Sequence, residues 1–135
     1  LGAALVSALG YRNVPLVIRN EGLETYTGKV TFVAFCNGRY FGGAMKIAPD
    51  ADPTDGKLDS VLIGDLSKRE TYALTSHIYE GTHVSRPRVA VSRGHEFEVT
   101  STLPESNIEI EIDGETPGFL PAKIRLFPGA VHLRC

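Results

Sequence analysis

The chain has 135 residues, 42% hydrophobic and 22% charged, which accommodates one ordinary folded domain and excludes general disorder. Fourteen Lys and Arg against sixteen Asp and Glu leave a net charge of −2. No global field therefore draws the molecule onto nucleic acid or an anionic membrane, and any phosphate or lipid contact has to be local.

The two cysteines, Cys36 and Cys135, lie almost the whole chain apart; this is not the spacing of a disulfide framework and predicts a reducing, cytoplasmic setting. No apolar stretch approaches the ~20 residues that cross a bilayer, and no basic-then-apolar leader opens the chain. The sequence starts at Leu1 and its only methionine is Met45, which predicts a natural start further upstream.

Leu1, Leu5 and Leu9, joined by Ala4 and Ala8, recur at helical spacing before Gly10, so the opening residues read as the end of a helix. Pro15 to Ile18 and Lys29 to Cys36 are rich in β-branched and aromatic residues, with a polar, turn-like stretch from Asn20 to Gly28 between them; two strands follow. In the second, Phe32, Ala34 and Cys36 alternate with Val33 and Phe35, so both faces are apolar and the strand is central. Ser60 to Ile63 reads as another strand.

Ser67-Lys68-Arg69-Glu70 fits a capping box, and Leu74 with Ile78 gives an apolar face before Gly81, predicting a helix of about three turns. Beyond it Val89/Val91, Phe97/Val99, Ile108/Ile110/Ile112, Ile124/Leu126 and Val131/Leu133 alternate, predicting five short strands. Strands in series with one internal helix specify a mainly β fold, an antiparallel β-sandwich over residues 1–135 with a partial N-terminal helix.

Several stretches can carry chemistry. Asp50, Asp52, Asp55 and Asp59 surround Pro53 and Gly56, and a tight turn of this kind can aim backbone carbonyls and one carboxylate at a hard cation such as Mg²⁺. It is not an EF-hand, because position twelve is Val61 rather than glutamate. A plain β-turn carrying surface charge accounts for the same residues. Asp113-Gly114-Glu115 follows a strand, where the glycine can turn the chain and leave Glu115 as a general base on a hydroxyl; a hairpin turn with two solvated acids is the alternative.

Asn37 to Gly43 carries three glycines but neither the phosphate-loop nor the dinucleotide pattern. His77, His83, His95 and His132 form no pair at metal-ligand spacing, and Arg86, Arg88 and Arg93 make a small basic group near Pro87 that reads first as a solvated loop and otherwise as able to meet a phosphate or a lipid headgroup. Glu109 and Glu111 occupy the solvated face of a strand.

The order of Asn37-Gly38-Arg39-Tyr40-Phe41-Gly42-Gly43, Ile47-Ala48-Pro49-Asp50-Ala51, Asp55-Gly56-Lys57-Leu58-Asp59, Gly81-Thr82-His83 and Ile112-Asp113-Gly114-Glu115 resembles the C-terminal domain of the bacterial diacylglycerol kinase and sphingosine kinase-like lipid kinases, relatives of the NAD kinase fold. The resemblance runs from about Val30 to the end. It implies a two-domain enzyme with ATP in a cleft between an N-terminal α/β nucleotide-binding domain and this sandwich. The family's Gly-Gly-Asp-Gly-Thr phosphate loop belongs to the first domain and does not occur here, so this chain would be the inactive half of a kinase.

The resemblance further implies Glu115 as proton acceptor from the lipid's primary hydroxyl. It implies a structural Mg²⁺ site with the Asp55 carboxylate and the backbone carbonyls of Asp52 and Lys57, and a lipid substrate of diacylglycerol or sphingoid type met at a membrane surface. The family often has a third glycine where this chain has Ala44. Two rival functions remain open at this point: a non-catalytic metal- or ligand-binding sandwich, and a kinase acting on a soluble nucleotide such as NAD.

Overall fold

The computed structural model describes residues 3–6, 12–103 and 107–130. Its elements are β1 (Ala3–Val6), β2 (Val14–Asn20), β3 (Leu23–Cys36), β4 (Leu58–Gly64), α1 (Lys68–Glu80), a 3-10 turn (His83–Ser85), β5 (Val89–Gly94), β6 (Glu96–Ser101), β7 (Glu109–Ile112), β8 (Glu115–Phe119) and β9 (Ala122–Arg125). Neighbouring strands run in the order β8-β7-β1-β3-β2-β6-β9, with β4 on β3 and β5 on β4, and every pairing is antiparallel.

The 14-residue β3 belongs to both layers of the sandwich. From Leu23 to Val30 it pairs with β2; from Val30 to Cys36 it pairs with β4 on one edge, and from Val33 to Cys36 with β1 on the other. Its register with β4 shifts between Val30 and Phe32, and such an irregularity bends a strand and increases its twist, here where pairing passes from one layer to the next.

Between the layers, Val33, Phe35, Leu58, Leu62, Ile108 and Ile110 meet Leu16, Ile18, Phe97 and Val99 in the main core. The Phe35 and Phe97 rings lie at its centre with centroids 4.9 Å apart. On the opposite face of β3 and β4, Ala34, Cys36 and Val61 are covered by Ile47, Ala48 and Ala51 from the β3–β4 connection, with Phe32, Phe41 and Ile78 packed against them. The alternation read from the sequence of β3 thus has its physical cause in two separate cores.

The capping box of α1 is formed: the Ser67 side chain accepts from the Glu70 N–H, the Glu70 carboxylate accepts from the Ser67 N–H, and Gly81 closes the helix in the left-handed conformation. Leu74 is its buried residue, while Tyr72 and Tyr79 face outward.

Three expectations change. Residues Ala3–Val6 form β1, laddered to β3 and β7, rather than the end of a helix. Ala-Ala-Leu-Val is apolar at every position, a run that periodicity alone cannot assign, and pairing on two edges decides it; the remainder of the predicted helix lies outside the described residues. The stretch Asn20 to Gly28 is mostly strand, because Glu21 and Gly22, both at positive φ, turn the chain in two residues. Strand β8 escaped the sequence pattern because Glu-Thr-Pro-Gly-Phe carries the two residues least suited to a ladder, which an edge strand tolerates. Val131 and Leu133, read as a last strand, lie outside the described residues, and Val91 is 48% exposed because β5 pairs along one edge only.

Replacing Phe97 by alanine empties the centre of the main core, and urea unfolding should show a loss of about 3–5 kcal/mol. Burial, with the Asp59 carboxylate adding to it, pushes the Cys36 thiol up to about 12. Cys36 should therefore stay unmodified by iodoacetamide at pH 8 in the native protein and react in urea, as read by peptide mass mapping; rapid native labelling would mean that the second core is open.

Candidate functional site

The strand registers gather the predicted site residues at one end of the sheet. Ile112 is opposite Ala4, Ala4 opposite Phe35 and Phe35 opposite Ser60, and the next row joins Ala3, Cys36, Asp59 and Arg93. The end of β7, the start of β1, the ends of β3 and β5 and the start of β4 consequently emerge together. Onto this end open the Asp113-Gly114 hairpin, the loop after Cys36 and the acidic turn before Leu58.

The acidic turn is organised by its own side chains. Asp52 accepts hydrogen bonds from the Thr54 backbone N–H (2.9 Å) and hydroxyl (2.6 Å), and these bonds, the hydroxyl first, hold its carboxyl below the usual range. Asp55 Oδ1 accepts from the Lys57 N–H (2.8 Å), and the Asp52 carbonyl accepts from the Asp55 N–H (3.2 Å). In the Asp52–Thr54 and Asp55–Lys57 turns the aspartate side chain takes the place of a backbone acceptor.

Arginines fasten the turn to the sheet. Arg93 donates from Nε to Asp59 Oδ1 (2.9 Å) and from Nη2 to the Asp50 carbonyl (3.0 Å), while Arg39 Nε donates to the Ala51 carbonyl (3.1 Å). Asp59 is 2% exposed. Its burial raises the carboxyl pKa, and the Arg93 hydrogen bond and charge oppose that rise. Among the described residues the other carboxylate oxygen, Oδ2, has no hydrogen-bond partner.

The predicted cation donors fit a hard divalent ion in kind, since all three are oxygens. Asp52 Oδ1 takes both bonds from Thr54, and the Asp52 carbonyl, which the resemblance implies as a donor, accepts from the Asp55 N–H and keeps a second lone pair. Asp55 Oδ2 lies 3.9 Å from Arg93 Nε, beyond a hydrogen bond, and is the carboxylate oxygen open to a cation. Among the described residues no cluster of three or more His, Cys, Asp or Glu side chains is disposed around a metal; the predicted set uses one side chain and two carbonyls.

Glu115 opens β8 opposite Ile112, directly after the two-residue turn Asp113 (φ 50°) and Gly114 (φ 83°), and its side chain is exposed. The hairpin reading and the projecting carboxylate of the sequence analysis are therefore one arrangement. With strands about 4.8 Å apart, Ile112 lies about 14 Å from Ser60 across three pairings, and Glu115 about one spacing further. The acidic turn and Glu115 share a sheet end without touching.

In the glycine-rich loop, Phe41 and Met45 bond back to each other around Gly42, Gly43 and Ala44, all three at positive φ. Ala44 sits at φ 68°, so the position where the family often has a third glycine demands the left-handed conformation that glycine adopts freely. His83, fully buried, donates from Nε2 to the Ile47 carbonyl (2.9 Å) and fixes this loop against the end of α1.

The basic group read from the sequence does not assemble. Arg86 Nη2 lies on His77 Nε2 (2.7 Å), Arg88 bonds the Asp65 carbonyl (3.0 Å) and Glu70 (3.2 Å), and Arg93 serves the acidic turn. The Asp59–Arg93 pair was missed, although both residues stand in strands at paired positions.

Residues 2–135 match the family described as the YegS C-terminal NAD kinase beta sandwich-like domain. A Mycobacterium tuberculosis (strain CDC 1551 / Oshkosh) protein named diacylglycerol kinase is 29% identical over 131 residues, covering 97% of this chain and 41% of that protein. The chain thus spans less than half the length of this relative. The crystal structure of a diacylglycerol kinase from Bacillus anthracis str. Sterne superposes with a TM-score of 0.66 at 15% identity, over 95% of this chain and 46% of that one. A second structure from the same organism, provisionally assigned to the same enzyme class, superposes with a TM-score of 0.72 at 19% identity over 95% of this chain and 50% of its own. At these identities the structures establish the fold.

Ala44→Gly should stabilise the protein by about 0.5–1 kcal/mol, the strain of a left-handed alanine less the chain entropy of glycine. Chemical denaturation measures it, and a destabilised variant would mean that the methyl group packs favourably.

Proposed function

The chain belongs to the YegS C-terminal NAD kinase β-sandwich-like family, and from that membership we propose that it is the acceptor-side half of an ATP-dependent lipid kinase. The observation that supports the reading is the convergence of the Glu115 hairpin, the acidic turn and the glycine-rich loop at one sheet end. In this proposal an N-terminal nucleotide-binding domain, which the length of the M. tuberculosis relative leaves room for, presents ATP to that end.

Glu115 accepts the proton of a lipid primary hydroxyl while the hydroxyl oxygen forms its bond to the γ-phosphorus. The bond from that phosphorus to the β–γ bridging oxygen breaks, and ADP leaves with the electron pair. A carboxylate at the tip of a two-residue hairpin is held by backbone pairing on one side and is open to a substrate on the other, which suits a base whose first requirement is position. Magnesium held by the Asp55 carboxylate and the Asp52 and Lys57 carbonyls would supply positive charge that keeps the acidic turn in place. The turn precedes β4, four strands across the sheet from Glu115, so its part in this reading is structural. Peripheral contact with a membrane brings the acceptor, a diacylglycerol or sphingoid lipid.

In the intact protein, Glu115→Gln should lower kcat at least about 100-fold with thermal unfolding unchanged, since Glu115 is exposed. The measurement is ATP-dependent phosphorylation of diacylglycerol or sphingosine in mixed micelles, with NAD as a soluble acceptor for comparison. Near-normal turnover removes Glu115 from the chemistry, phosphorylation of NAD alone reassigns the acceptor, and turnover by residues 1–135 alone refutes the division between two domains.

A further inference from the structure

Arg93 stands where a bound cation would otherwise be the source of positive charge. Its guanidinium bonds the carbonyl at the beginning of the acidic turn, Asp50 O (3.0 Å), and the carboxylate just beyond its end, Asp59 Oδ1 (2.9 Å). The same Nε is 3.9 Å from the Asp55 oxygen that the predicted cation would use. Four aspartates lie within this stretch. The one that is buried, Asp59, keeps its second oxygen without a partner among the described residues. Arg39 adds a second guanidinium on the turn's backbone, at Ala51 O.

Two consequences of this geometry pull in opposite directions. By tying Asp50 to Asp59, Arg93 holds the turn in shape before any ion arrives, which favours binding. By bringing a full positive charge within a few ångströms of Asp55, it repels a divalent ion and neutralises the carboxylate that would add to the ion's field. The turn has its own scaffold in the bonds of Asp52 to Thr54 and of Asp55 to Lys57, so the repulsion is the larger effect.

We infer that Arg93 is a positioning residue whose guanidinium acts as a resident positive charge in the acidic turn, weakening the hold of Asp55 on a divalent cation and keeping that cation exchangeable. The inference rests on the proposed reading of Asp52, Asp55 and Lys57 as cation donors. It assigns to this chain a weak site tuned by an arginine from β5, whose sequence position gives no hint of that role.

Mn²⁺ binding to the nucleotide-free intact protein, followed by the paramagnetic resonance of the free ion, tests it. Asp55→Asn should abolish the binding, Arg93→Gln should tighten it at least about tenfold, and Arg93→Lys, which keeps the charge, should stay within about threefold of the native protein. Asp59→Asn removes the partner that neutralises Arg93 and should weaken binding several-fold. This variant decides the matter if Arg93→Gln does not fold, and unchanged affinity there overturns the inference. If the native protein binds through Asp55 and Arg93→Gln binds no more tightly, the role of Arg93 is refuted while the cation site stands. If neither protein takes up Mn²⁺ in an Asp55-dependent way, the cation reading itself is refuted.

Discussion

The architecture depends on one strand serving two layers. β3 gives its first half to β2 and its second half to β1 and β4, so its last residues need apolar side chains on both faces. Val33 and Phe35 close the space between the layers; Ala34 and Cys36 leave room on the far side for the β3–β4 connection and α1. Small residues on one face and large ones on the other are what let a loop of some twenty residues lie flat over a sheet. Were both faces lined with residues of phenylalanine size, Ile47, Ala48 and Ala51 could not reach the sheet, and the turn that follows them would lose its foundation.

That foundation explains why the polar features cluster. A loop crossing a sheet face carries backbone groups that water no longer reaches, and each has to find a partner. His83 supplies one for Ile47 and Arg39 one for Ala51, while Arg93 adds a bond to the carbonyl of the exposed Asp50. The buried Asp59 is tolerable because Arg93 reaches it, yet among the described residues its second oxygen has no partner, an arrangement costly enough in a dry site that a core built for stability alone would avoid it. What is particular to this sheet end is a buried charge, the Asp59 carboxylate, which is 2% exposed.

Much of this was legible in the residue pattern and some was not. The two-faced character of β3 followed from strict alternation, and the capping box placed α1 to within a residue because Ser67 and Glu70 form local, sequence-near bonds. β1 was misread because four consecutive apolar residues fit either period, and only pairing with β3 and β7 distinguishes them. The hairpin carrying Glu115 was visible in Asp113-Gly114, but its return strand was hidden by Pro117 and Gly118. The ion pair of Asp59 with Arg93 could not be found, since it joins residues 34 apart that become neighbours only when β4 and β5 align. Contacts of this non-local kind are set by register, which single-sequence reasoning reaches last.

Register also constrains how the proposed chemistry can be divided. Glu115 is fixed by its pairing with Ile112, and the row that carries it runs through β1 and β3 to the first residues of β4. A slip of one residue between β1 and β3 would exchange the faces of β1 and β7 together, burying acids and exposing the isoleucines of the core. The position of the carboxylate is therefore locked by the same apolar packing that seats β4, although Glu115 and Ser60 are about four strand spacings apart. The sheet, more than any side chain, is the element that a second domain docking at this end would have to read.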